Sequence, residues 1–237
     1  MDKKQLYKLI SAFSMADGGL YKRNENGNAY FMMNMLSVHN DYIEWVKETF
    51  ENLVHVNKTK VANPCKRPQT NINTRVHPSL TTIHGRIYRE GGYKGLDEHW
   101  INNIDWEILA IFYMADGSLG AEPPNVKKGL INYSPNVTLN MKRLSYGDQW
   151  FLKKCLKDKL DLEFNIRQHN FKGKTYYFLK LVRKDLEKFI EGITPYTKDS
   201  FKYKLWDSER KAPLAEKLKD DDIVWPVQQC AEVDRND

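Results

Sequence analysis

A chain of 237 residues with 41% apolar side chains can bury one large core or two smaller ones of similar size. No stretch reaches the roughly 20 apolar residues of a membrane span. No leader precedes the first apolar helix, so the sequence predicts a protein used where it is made: a prokaryotic or virus-infected cytoplasm, or an organelle that encodes it, and not a secreted protein. The net charge of +6 is uneven, because residues 212–237 hold seven acids against three bases and leave +10 on the rest, which suits a polyanionic partner. Cys65, Cys155 and Cys230 are odd in number and widely spaced, which predicts a reduced compartment without a disulfide or thiolate zinc site. Cys65 with His77 and His84 matches no common zinc spacing.

In chain order, an apolar helix is predicted over 3–16, then strands over 19–24 and 28–38. A helix over 40–53 carries Ile43, Val46, Phe50 and Leu53 at helical spacing, and His39 stands at the strand-to-helix junction before it. Strands are predicted over 54–61 and 79–88, with the proline-punctuated segment 63–78 as a long loop between them. After a linker over 96–104, the order repeats: helix 105–116, strands 118–122 and 131–143, helix 146–160, strands 163–170 and 174–182, helix 183–192. The expected fold is α+β, two αββαββα halves (1–95 and 105–211) with antiparallel sheets and an acidic tail at 212–237.

Alternation marks sheets with one polar face. Asn136, Thr138, Asn140 and Lys142 oppose Val137, Leu139 and Met141; Asn165, Arg167 and His169 oppose Phe164 and Ile166; His55, Asn57 and Thr59 share a face in the first half. Such faces fit the major groove, where Arg reads guanine and Asn reads adenine. Candidate phosphate neutralisers are Lys22, Arg23, Lys58, Lys60, Arg75, Arg86, Lys127, Lys128, Arg143, Lys172 and Lys174.

One pattern occurs twice. Ile10-Ser-Ala-Phe-Ser-Met-Ala-Asp-Gly18 and Leu109-Ala-Ile-Phe-Tyr-Met-Ala-Asp-Gly117 both read Phe-x-Met-Ala-Asp-Gly-x-Leu through Leu20 and Leu119. Duplicated helices that face each other bring Asp17 and Asp116 to one end, and two close carboxylates favour a divalent cation between them. Carbonyls freed at the helix ends, those of Ala16 and Ala115, are natural additional ligands.

Both nonamers resemble the LAGLIDADG motif of homing endonucleases in the single-chain, two-motif form, over about residues 4–206. Met15 and Met114 stand where the family often has its first acid, and Ile111 where a small residue is common. The resemblance implies a saddle of two sheets with the motif helices packed at the interface. It also implies a monomer that makes a double-strand break in a long asymmetric DNA target with two or three Mg²⁺ ions held by Asp17 and Asp116. Basic residues before the second motif and near the end of the second half correspond to Lys94 and to Lys204 or Lys202, and Asn34 and Asn140 are expected in the water pocket. The alternative is an intron maturase using the same basic surface on folded RNA. A duplicated DNA-binding regulator with dead sites would lack an aspartate, and Met1 and Asp237 at the termini do not suit an intein.

Overall fold

The computed structural model describes residues 2–61, 67–122 and 134–205. Lys127, Lys128, Cys65, Cys230 and the acidic tail lie outside the described residues. The first helix, α1 (Lys3–Met15), starts at Asp2, whose carboxylate accepts from the Gln5 N–H, and is buried almost throughout beyond its first turns. After it come β1 (Gly19–Lys22), β2 (Ala29–Leu36), α2 (Asn40–Glu51), β3 (Val56–Val61), β4 (Gln69–Thr74) and α3 (Pro78–Ile87). A short helix α4 (Glu98–Ile101) leads to α5 (Trp106–Asp116), β5 (Gly117–Glu122), β6 (Ser134–Leu139), α6 (Tyr146–Leu160), β7 (Phe164–Phe171), β8 (Lys174–Leu181) and α7 (Leu186–Ile193). The two αββαββα units form two antiparallel four-stranded sheets of matching order, β1-β2-β4-β3 and β5-β6-β8-β7.

Two expectations for the first half are corrected. Residues 79–88 are not a strand but belong to α3. Pro78 at the first turn, the His77 ring accepting from the Ser79 N–H, and buried Leu80, Ile83 and Ile87 at helical spacing outweigh the β-branched Thr81, Thr82 and Ile83. The fourth strand instead comes from the expected loop. In β4 the inward positions are Thr70, Ile72 and Thr74, so the apolar alternation is nearly silent. The hydroxyls do the work of apolar groups by finding partners: Thr74 Oγ1 accepts from the Phe31 N–H at 2.9 Å, and Thr70 Oγ1 meets Ser37 Oγ at 2.9 Å.

The linker is packed rather than loose. Leu96, Trp100, Ile101 and Ile104 are buried, and the fully buried Asp97 accepts from Ser11 Oγ at 2.9 Å on α1. Helices α1 and α5 lie side by side in the core, each carrying its motif, and Ile111 is fully buried where a small residue was expected. Lys8 in the middle of α1 pairs with Asp105 and Glu107 at the start of α5, which ties the two helices together at that level.

Candidate active site and nucleic-acid interface

The second motif helix runs directly into β5, while Ala16–Gly18 turn the first into β1, and at both corners glycine makes the turn possible by its size. A Cβ on Gly18 would lie 2.1 Å from the Phe31 ring and 2.9 Å from the Phe13 carbonyl. On Gly117 it would lie 2.1 Å from the Tyr113 ring and 2.4 Å from its carbonyl. The residue before each glycine is therefore held at the helix end, and the two aspartates face one pocket of about 270 Å³ with Ala16, Lys94, Asn140, Lys142 and Arg143 among its walls.

The electrostatics of that pocket follow from crowding. Asp17 is open to solvent at the pocket mouth, yet desolvation by the packed pocket beneath it, together with neighbouring Asp116, pushes its carboxyl up to about 6, against the opposing pull of Lys204, Lys94 and Arg143. Burial also raises Asp116, while the same three cations hold it down. The carboxylate and carbonyl groups at the helix ends offer oxygen donors, and among the described residues no group of three or more His, Cys, Asp or Glu comes together, here or elsewhere. Two carboxylates that repel one another in an open pocket fit a hard divalent ion that keeps several waters.

Each lysine caps one motif helix. Lys94 Nζ donates to the carbonyls of Ala16 at 2.8 Å and Gly18 at 2.7 Å; Lys204 Nζ donates to those of Met114 at 2.6 Å and Gly117 at 2.9 Å. A cation at the negative end of a helix is favourable there. A bridge between Tyr88 and Lys94, closed through Gly91 and Gly92 at φ +81° and +76°, aims the first lysine. The second is aimed by a 3₁₀ stretch, Asp199–Lys204, in which Ser200 N donates to Asp41 at 2.9 Å and Phe201 stacks on His39 at 4.1 Å. Lys202 points outward and pairs with Asp199 at 2.7 Å. Burial lowers both capping lysines, Lys94 to about 8. The Ala16 carbonyl thus already accepts from Lys94, whereas Ala115 is half-buried one residue before Asp116. Asn140 lines the pocket, its N–H donating to the Asp116 carbonyl at 2.8 Å; exposed Asn34 donates to Gln69 at 3.0 Å.

A profile of the LAGLIDADG DNA endonuclease family matches residues 14–189, both motif aspartates included. The chain belongs to that family. It has the two-motif, single-chain form of that family. Among solved structures it is similar to the homing endonuclease I-WcaI bound to its DNA recognition sequence, at TM-score 0.65 and 20% identity over 86% of this chain and 87% of the other. It is also similar to a variant of I-DmoI in complex with its nicked target DNA and manganese, at TM-score 0.52 and 11% identity over 81% and 97%. Curated relatives named Protein RecA are 27% identical in Mycolicibacterium flavescens and 23% in Mycobacterium leprae, each matched over 85% of this chain. The chain spans 46% and 28% of their lengths.

In this LAGLIDADG-family chain, the helices α2, α3 and α6 cover one side of the sheets and leave the other open. Asn57, Thr138, Arg167 and His169 lie on the open sides, with Asn57 donating to Asn73 and Thr138 meeting Ser118. Lys174 opens β8, and Lys172 occupies the β7–β8 turn with its ammonium 5.5 Å from the Phe171 ring centre. Lys22, Arg23, Arg75 and Lys142 are exposed at strand ends and turns. Two candidates point elsewhere. Lys58 reaches the helical side, where it donates to Asn40 at 2.9 Å and pairs with Glu44; Arg86 lies on α3, 3.8 Å from buried Asp97. A residue that periodicity could not single out is Tyr42, whose hydroxyl is fully buried without a hydrogen-bond partner among the described residues and feels both motif aspartates.

Proposed function

We propose that this chain is a DNA endonuclease that uses Mg²⁺ to hydrolyse both strands of a long asymmetric duplex, acting as a monomer. The observation that carries the reading is the convergence of Asp17 and Asp116, from different halves, on one pocket between two lysine-capped helix ends. Asp17 and Asp116 would hold the ion, with the pocket amide of Asn140 orienting water. When bound, a divalent ion supplies charge relief on the phosphate and makes water acidic enough to attack at neutral pH. The protein supplies the rest. Lys94 and Lys204 are pinned by carbonyls, so their ammonium groups meet a phosphate without reorganising. Water oxygen bonds to phosphorus, the P–O3′ bond breaks, and the leaving oxygen takes a proton to become a 3′ hydroxyl. Because the halves are joined in one chain, no second copy is needed to complete the pocket.

The test is selection of cut duplexes from a randomised DNA library by the full chain, with Mg²⁺ and with chelator. Recovery of one long, non-palindromic sequence cut on both strands only with Mg²⁺ is expected. Cleavage that persists in chelator, a palindromic site, or tight binding to folded RNA without DNA cutting refutes the proposal.

A further inference from the structure

The halves supply equivalent lysines but unlike walls. Pairing of Gly19 with Met32 in the first sheet and of Gly117 with Leu139 in the second superposes Asn34 on Asn140 once the motif glycines are matched. The starts of α2 at Asn40 and α6 at Tyr146 keep the same six-residue distance from those asparagines. On this mapping Lys142 corresponds to Leu36 and Arg143 to Ser37. Arg143 lines the pocket with Asp17, Lys94 and Asp116, and is continuous with a wider cleft of about 840 Å³ reaching Arg89, Tyr93 and Lys174. Its charge acts on both carboxylates and on Lys94, but is not among those acting on Lys204. Ser37 turns the other way: its hydroxyl meets Thr70 at 2.9 Å and its N–H donates to the Pro68 carbonyl. The adjacent His39 packs flat on Phe201, and burial, with Lys204 nearby, pushes its pKa down.

The geometry points to Arg143 as a catalytic residue for one strand only: it accelerates cleavage of the strand whose scissile phosphate lies on the Lys94 side, and the Lys204 side has no equivalent. The inference rests on the endonuclease reading above. A phosphoryl group under attack gathers negative charge on its outer oxygens, and a planar guanidinium can donate two hydrogen bonds to them without giving up a proton. Arg143 is exposed, so its effect is set well below that of a dry, enclosed donor, at about tenfold in rate. The protein then nicks one strand before it completes the break.

The experiment uses a duplex recovered by selection with the full chain, carrying a different fluorophore on each strand, in single-turnover cleavage. Wild type is expected to cut one strand first. Arg143→Gln should slow that strand about tenfold while leaving the other within about twofold, and Arg143→Lys, which keeps the charge but loses the fork, should fall between. The second strand is an internal control, since a folding defect slows both alike. Equal slowing of both strands by Arg143→Gln, or no slowing, overturns the assignment while the endonuclease reading stands. If wild type cuts neither strand, that reading fails and this one with it.

Discussion

The open faces of the two sheets share a topology and differ in chemistry. In the first, Asn34 on β2, Asn57 and Thr59 on β3, and Gln69, Asn71 and Asn73 on β4 form a face of amides and hydroxyls beside Tyr30 and Met32, while the strand lysines Lys22, Lys58 and Lys60 fall at the alternate positions. In the second, Asn136 and Thr138 on β6 are joined by Asn165, Arg167 and His169 on β7 and by Lys174, Tyr176 and Lys180 on β8. Amides present paired donor and acceptor groups that suit base edges, whereas cations release counterions from phosphates and read guanine. One scaffold thus offers a reading face and a gripping face. Two such different faces suit a target whose halves differ.

The largest expected effect tests where the halves stop differing. Asp17→Asn and Asp116→Asn, from opposite halves, should each reduce cleavage of both strands on the order of a thousandfold while leaving DNA binding intact. Strand-resolved cleavage and gel-shift titration check this. Loss of a single strand per variant would mean that each half works alone.

Next is stability at the helix corners. Gly18→Ala and Gly117→Ala both force a methyl against a ring, and should cost about 1–3 kcal/mol. Gly117→Ala should be the worse, since its Cβ also lies 2.4 Å from backbone that cannot swing aside. Denaturant melts of the two variants rank them.

A smaller effect separates the faces directly. Arg167→Gln and Lys174→Gln should each lower the slope of log affinity against log salt by about 0.9 on duplex DNA. Asn57→Ala and Asn73→Ala should leave the slope unchanged and relax base preference at one end of the site. Equal slopes for all four variants would erase the distinction between reading and gripping.

The smallest effect concerns pH. Asp17 sits near 6 in the folded protein against 3.8 ordinarily, so folding disfavours its ionised form. That penalty is complete above about pH 6 and vanishes below about pH 4. Without metal, Asp17→Asn should therefore melt above wild type at pH 7, with the gap closing as pH falls toward 4. Adding Mg²⁺ at pH 7 should raise the wild-type melting temperature and not that of the variant.

The motif helices, the second-half strands and the repeated element order were legible because each rests on local periodicity or on identity between two segments. The capping lysines were legible only through family resemblance. Where local signals conflicted, reading failed: β4 buries threonines whose hydroxyls are satisfied across the sheet by Phe31 and Ser37, so its partners lie some 30 to 45 positions away. Lys58 shows a related failure, because alternation tells which side chains share a face but not which face the helices cover.

By itself the sequence determined that two acidic helix ends exist in duplicate on a basic α+β body, since that follows from composition, spacing and repetition. The tertiary structure alone decided that Asp17 and Asp116 share one pocket, that Lys204 and not Lys202 caps the second helix, and that Arg143 enters the centre while Ser37 turns to Thr70. The physical reason is common to all three. Charge interactions and close packing depend on distances between residues far apart in the chain, and only the packing of α1 against α5 and of each sheet against its helices sets those distances.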